Sequence, residues 1–155
     1  MKPPANRRNA RRHAFHLVFQ FPYHGDWSAE TLAAATANYY DGLEEEERPR
    51  GRDAAYILRA VTGTLERTAL LDGVIARFLT DWTPERLNRV DLALMRLAIY
   101  EMLCEKDVPP GVAINESVEL AKDYGSDDSP AFINGVLGSV SRALKDEHLN
   151  GEPLG

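Results

Sequence analysis

Four arginines crowd the start of the chain, Arg7, Arg8, Arg11 and Arg12, and Lys2 precedes them. Wound as a helix, Arg8, Arg11, Arg12, Phe15 and Phe19 share one flank, so a basic patch runs into two aromatic rings. Guanidinium groups at a helix N-terminus suit phosphate, because the exposed backbone N–H groups and the helix dipole also favour an anion there. Arg7 and Arg8 in a first helical turn oppose that dipole, at about 0.3–1 kcal/mol each. A local rule broken without visible compensation marks a candidate functional position. An Arg-rich terminus is as often a solvated arm, and Phe15 and Phe19 serve a core contact equally well.

Other chemistry finds little footing. His13 and His16 stand at i, i+3, but no Cys or carboxylate at a matching offset completes a metal site. Cys104 lies in an apolar run, where a packed thiol is the expected state. There is no P-loop, no Gly-rich dinucleotide fingerprint and no Glu-x-x-His pair of a di-iron bundle. Neither a catalytic group nor a cofactor is expected.

The 155 residues suffice for one domain with a sizeable core. Hydrophobic content of 44% and charged content of 27% are ordinary for a globular protein. One cysteine cannot form an intrachain disulfide, which points to a reducing, cytoplasmic setting. No apolar run resembles a signal peptide or a membrane span. The net charge of −6 conceals +5 in the first dozen residues and −11 in the rest. A basic arm on an acidic body suits an anion at one end and a basic partner elsewhere.

These groups need a scaffold, and its centre is Val90 to Cys104. That stretch has no Gly or Pro, and its apolar side chains cover nearly the whole helical circumference, so other elements must surround it. Glu101 shares a side with Leu94 and Leu97 and is expected to be buried and paired. Asn6 caps a first helix running to about Phe21, with Ala10, Ala14, Leu17, Val18 and Phe21 as its buried stripe. Ser28 caps a second helix, with Leu32, Ala35 and Tyr39 inward and Gly42 as the stop. Glu44 to Glu47 reads as a solvated loop. One long helix is expected from Asp53 to Leu79, burying Ala54, Ile57, Leu58, Val61, Leu65, Leu71, Ile75 and Phe78, with Gly63 and Gly73 as close-approach points. Thr83 with Pro84 starts a short helix. Pro109 and Pro110 break the chain before a helix from Val112 to about Tyr124, with Ile114, Val118 and Ala121 inward. Ser129 with Pro130 caps the last helix, whose stripe is Ile133, Val136, Leu137, Val140 and Leu144. The tail from Asn150 onward reads as frayed. The fold class is all-α, with about seven helices in a single domain of two subdomains, about 1–79 and 83–148.

Two segments together resemble the N-utilization substance B (NusB) family of bacterial transcription antitermination factors. One is RRNARRHAFHLVFQ. The other is RVDLALMRLAIYEML followed by DVPPGVAINESVELAKDYGSDDSPAFINGVL. The resemblance implies an all-helical, non-enzymatic RNA-binding protein. It implies pairing with ribosomal protein S10 (NusE), binding of boxA-type single-stranded RNA in ribosomal RNA leaders, and action within an RNA polymerase antitermination complex. By position it offers Arg7, Arg8 and Arg11, beside Lys2, as RNA contacts, with Tyr124, Asp128 and Phe132 near the RNA face. It places Phe19 and Asp91, where the family often has Tyr and Glu, on the ribosomal-protein side. Structural roles compete at each aromatic and acid. The aromatic flank of the first helix leaves a homodimer open, and a helical adaptor without RNA is the competing function. Some ribosomal RNA cytosine methyltransferases carry a similar helical domain, but a chain ending at Gly155 is expected to have no room for a methyl-donor domain.

Overall fold

The computed structural model describes residues 6–21, 27–80 and 83–150. Lys2 and the residues after Asn150 lie outside them. Among the described residues there are seven α-helices and no strand. They are α1 (Arg7–Phe19), α2 (Ala29–Asp41), α3 (Gly51–Glu66), α4 (Thr68–Arg77), α5 (Arg89–Cys104), α6 (Pro110–Tyr124) and α7 (Ser129–Asn150). The chain divides into two compact units, Met1–Glu66 and Arg67–Gly155.

In the first unit, α1 packs mainly on α3 and more lightly on α2. Ala10, Ala14, Phe15, Leu17 and Val18 are buried from α1, and Tyr56, Ile57, Ala60 and Val61 from α3. Phe21 falls beyond the end of α1 and is half-buried. Ser28 and Thr31 form a reciprocal capping box at the start of α2. Only Leu32 of its expected stripe is fully buried, with Ala35 and Tyr39 half-buried. The acidic run forms a short 3-10 turn, Glu45–Glu47, and is exposed as expected.

The expected single helix over 53–79 is two helices. The apolar period continues across Glu66, Arg67 and Thr68, and no Gly or Pro announces the break. Arg67 nevertheless leaves the helical region, at φ −107° and ψ 16°. That change frees α4 to pack on α5 in the second unit. Leu58, expected inside, is 60% exposed. Gly73 has open space where a Cβ would stand, so it is not a close-approach point.

In the second unit every residue of α5 from Asp91 to Glu101 is buried, as an all-round apolar helix requires, and α4, α6 and α7 all pack against it. Glu101 is 1% exposed. Pro84 opens a 3-10 turn, but Thr83 makes no side-chain cap. Asn88 caps α5, its Oδ1 accepting the Val90 N–H at 2.8 Å. In α6 the buried residues are Ala113, Ser117, Leu120 and Ala121, with Ile114 and Val118 only half-buried. The stripe is turned by one position because small side chains let α6 approach α5 closely. The Ser117 hydroxyl reaches the Leu94 carbonyl at 3.3 Å. Ile133, Val136, Leu137 and Val140 of α7 are buried as expected, and Leu144 is half-buried.

Candidate nucleic-acid interface

Asn6 sets the geometry of the arginines. Its backbone is extended, and its Oδ1 accepts the N–H groups of Arg8 at 2.9 Å and Asn9 at 3.3 Å. Its own N–H donates to Asp53 Oδ2 at 3.2 Å, tying the cap to α3. No acid stands in the first turn of α1.

The four arginines then part company. Arg8 is exposed. Arg7 lays its guanidinium over the Tyr56 ring, 4.2 Å from the centroid, and its buried Nε has no hydrogen-bond partner among the described residues. The ring holds it, as a cation on a π face. Arg11 is mostly covered, at 6% exposed. At the spacing of α1 it falls beside the buried Ala14 and Phe15. Arg12 is half-buried and donates to Asn9 Oδ1 at 3.3 Å.

Both ring nitrogens of His13 have neighbours within the first unit. Asn9 Nδ2 lies 3.3 Å from its Nε2, and the Tyr39 hydroxyl lies 2.6 Å from its Nδ1. If the Asn9 amide donates to Nε2, the neutral ring carries its proton on Nδ1 and gives it to Tyr39. Burial, then the neighbouring His16 and Arg12, holds the His13 pKa below its ordinary value, against a smaller opposing pull from Asp53. Burial and Arg12 lower His16 likewise. Both rings are therefore neutral at pH 7. Below about pH 6.5 the unfolded chain takes up protons that the folded chain resists, so this part of the stability is present above 6.5 and is lost on acidification. A His13→Gln/His16→Gln variant is expected to show a flatter fall in Tm than the wild type between pH 7.5 and 5. A parallel fall would remove the histidines from the pH response.

Phe19 is half-buried with its ring 5.9 Å from that of the buried Phe15, so part of it is available on the surface of α1. The remaining candidates lie in the second unit. Tyr124, the last residue of α6, is 37% exposed. Asp128 is exposed immediately before α7, and Phe132 is half-buried in its first turn, its N–H bonded to the Asp128 carbonyl at 3.1 Å. Asp91 is 7% exposed. Burial raises its pKa, a hydrogen bond from Ser129 partly offsets that, and its Oδ1 has no partner among the described residues. The Ser129 hydroxyl also accepts the Ser126 N–H at 2.9 Å. Gly125 must be glycine for this corner to close, since a Cβ there would stand 2.6 Å from the Ser129 hydroxyl and 2.9 Å from the Ala121 carbonyl. Asp91 thus joins α5 to the start of α7, beside Asp128 and Phe132.

Sequence reasoning missed Tyr56, whose ring carries Arg7, and Asp72, the partner of Arg96. Neither contact has a local signature. Among the described residues no cluster of three or more His, Cys, Asp or Glu could hold a metal, and no helix is long and apolar enough to cross a membrane.

Comparison with known proteins gives a consistent result. The NusB family pattern matches residues 8–142. The transcription antitermination protein NusB of Acetivibrio thermocellus is 43% identical over 134 residues, covering 86% of this chain and 87% of that protein. The solved NusB of T. maritima superposes with a TM-score of 0.75 at 34% identity, covering 92% of this chain and 93% of that one. A chain from the solved complex of the antitermination factors NusB and NusE with double-stranded RNA has the same fold, with a TM-score of 0.72 at 23% identity, covering 88% and 96%.

Proposed function

The chain belongs to the NusB family of transcription antitermination proteins, which are not enzymes, and on that premise we propose that it binds RNA through the exposed start of α1. The observation that carries this is Arg8, exposed in a first turn that holds no acid, at the positive end of the helix dipole. The RNA is boxA-type single-stranded RNA of ribosomal leaders, and the protein partner is ribosomal protein S10 (NusE), with the half-buried Phe19 ring on its side. A related solved complex contains NusB, NusE and RNA together. Tyr124, Asp128 and Phe132 supply a second set of contacts from their own unit, where stacking is worth about 1–3 kcal/mol per base. The assembly acts with RNA polymerase. Aspartates and glutamates outnumber the basic residues beyond the first dozen, so the body repels RNA until a basic partner covers part of it.

The test is fluorescence anisotropy of a boxA-like RNA, with and without the ribosomal protein, at matched salt. Affinity should rise with the partner, and equal affinity overturns that coupling. Replacing Arg8 with Ala should reduce the slope of log K against log salt by about 0.7, the value for one single-strand phosphate left without its cation, at unchanged Tm. A protein that captures the ribosomal protein but never RNA would instead be a helical adaptor.

A further inference from the structure

The first unit contains a cleft of about 790 Å³ beside the arginine helix, walled by α1, the end of α2 and the segment leading into α3. That volume lies in the range of small-molecule sites, roughly 300–1,000 Å³. Arg8, Arg12, Arg48 and Arg50 line it. The bonds that hold three of these guanidinium groups go to uncharged oxygens. Arg12 donates to Asn9 Oδ1, Arg48 to the Leu43 and Asp41 carbonyls at 3.3 and 3.4 Å, and Arg50 to the Glu45 carbonyl at 3.1 Å. Such bonds orient a guanidinium but leave its charge in place. Arg12 Nε is buried with no partner among the described residues.

The cleft also has an aromatic wall. The Tyr39 and His13 rings meet edge to face, with centroids 5.5 Å apart. Three carboxylates complete the lining, Glu46, Glu47 and Asp53. A bare anion would meet a mixed field here. A ligand with an anionic part, a flat ring and N–H donors on the ring edge matches all three features. A nucleotide has that composition: phosphate for the guanidiniums, a base face for the ring, and base N–H groups for the carboxylates.

We propose that this cleft holds one nucleotide of the bound RNA strand, its phosphate on Arg12 and Arg48 and its base against Tyr39. The proposal rests on the RNA-binding reading above and extends the contact surface from the first turn of α1 to the segment at 43–50. Two measurements on the full chain with the ribosomal protein test it. In the first, a boxA-like RNA carrying 4-thiouridine at successive positions is irradiated, and the crosslinked peptides are identified by mass spectrometry. A crosslink to Tyr39 or to residues 43–50 is expected from one register of the RNA. In the second, Arg12→Ala/Arg48→Ala should weaken RNA binding roughly tenfold at fixed salt and lower the salt slope by about 0.7 for each phosphate no longer neutralised. If that variant does not fold, the crosslink decides. Wild-type affinity in the folded double variant, with no crosslink in the segment and with Arg8→Ala still weakening binding, overturns the cleft and leaves the RNA reading standing. No RNA binding by the wild-type chain with its partner overturns both.

Discussion

Replacing Asp72 with Ala is expected to lower the free energy of unfolding by about 3–5 kcal/mol. Asp72 on α4 accepts from Arg96 Nε and Nη2 on α5 through its two oxygens, each at 2.7 Å, and both side chains are nearly covered. The geometry is the bidentate fork in which a guanidinium binds a carboxylate best. Such a pair contributes little against a well-packed apolar substitute, because both ions first lose their water. Removing one partner is different: Arg96 stays charged and keeps its burial but loses the bidentate carboxylate of Asp72. The loss is a large share of the roughly 5–15 kcal/mol that stabilises a domain. Urea denaturation of Asp72→Ala, Arg96→Met and the double variant Asp72→Leu/Arg96→Met measures it. The double variant should be more stable than Asp72→Ala. A cost below about 1 kcal/mol for Asp72→Ala would show that water reaches the pair.

Tyr56→Ala should cost about as much, roughly 3–5 kcal/mol, for a different reason. Tyr56 is fully buried on α3, so truncation opens a cavity between α3 and its neighbours. It also removes the surface on which Arg7 lies. That contact is worth about 0.5–2 kcal/mol where the cation is partly desolvated. Arg7→Ala alone should therefore destabilise by about that amount, which separates it from Arg8, whose loss should leave Tm unchanged. Tyr56→Leu keeps most of the volume and loses the ring. In a cycle with Arg7→Ala it isolates the stacking energy, and a coupling near zero would mean that Arg7 is merely adjacent.

Elements with local punctuation were legible in the sequence. Asn6, Ser28 and the Pro109–Pro110 pair mark starts, and Gly42 and Gly125 mark stops, because capping and turn chemistry depend on residues only a few positions apart. The burial of α5 followed from its composition alone. The break at Arg67 was not legible, since the apolar period runs straight through it and only packing decides where the backbone turns. Nor was the burial of Arg11. An arginine spaced like its exposed neighbours gives no sign that its own position on the wheel is covered. The cleft was hidden for another reason: Glu44 to Arg50 has the composition of a solvated loop, and nothing local shows that part of it lines one cleft with His13 and Tyr39. At the arginine helix the sequence indicated which residue types gather, and the structure separates the exposed Arg8 from Arg7, held on a ring, and Arg11, mostly covered.

The division of the chain after Glu66 bears on the order of synthesis. Each unit is one uninterrupted stretch, so α2 and α3, the helices of its own unit on which α1 packs, have both been made before the first residue of α4. A chain that emerges from its N-terminus can pair α1 with α3 at the modest entropic cost of closing one loop over α2. The arginine helix can then be capped, and Arg7 seated on Tyr56, while α5 is still unmade. In a nascent chain the arginine-bearing end would be the first part of the molecule to mature.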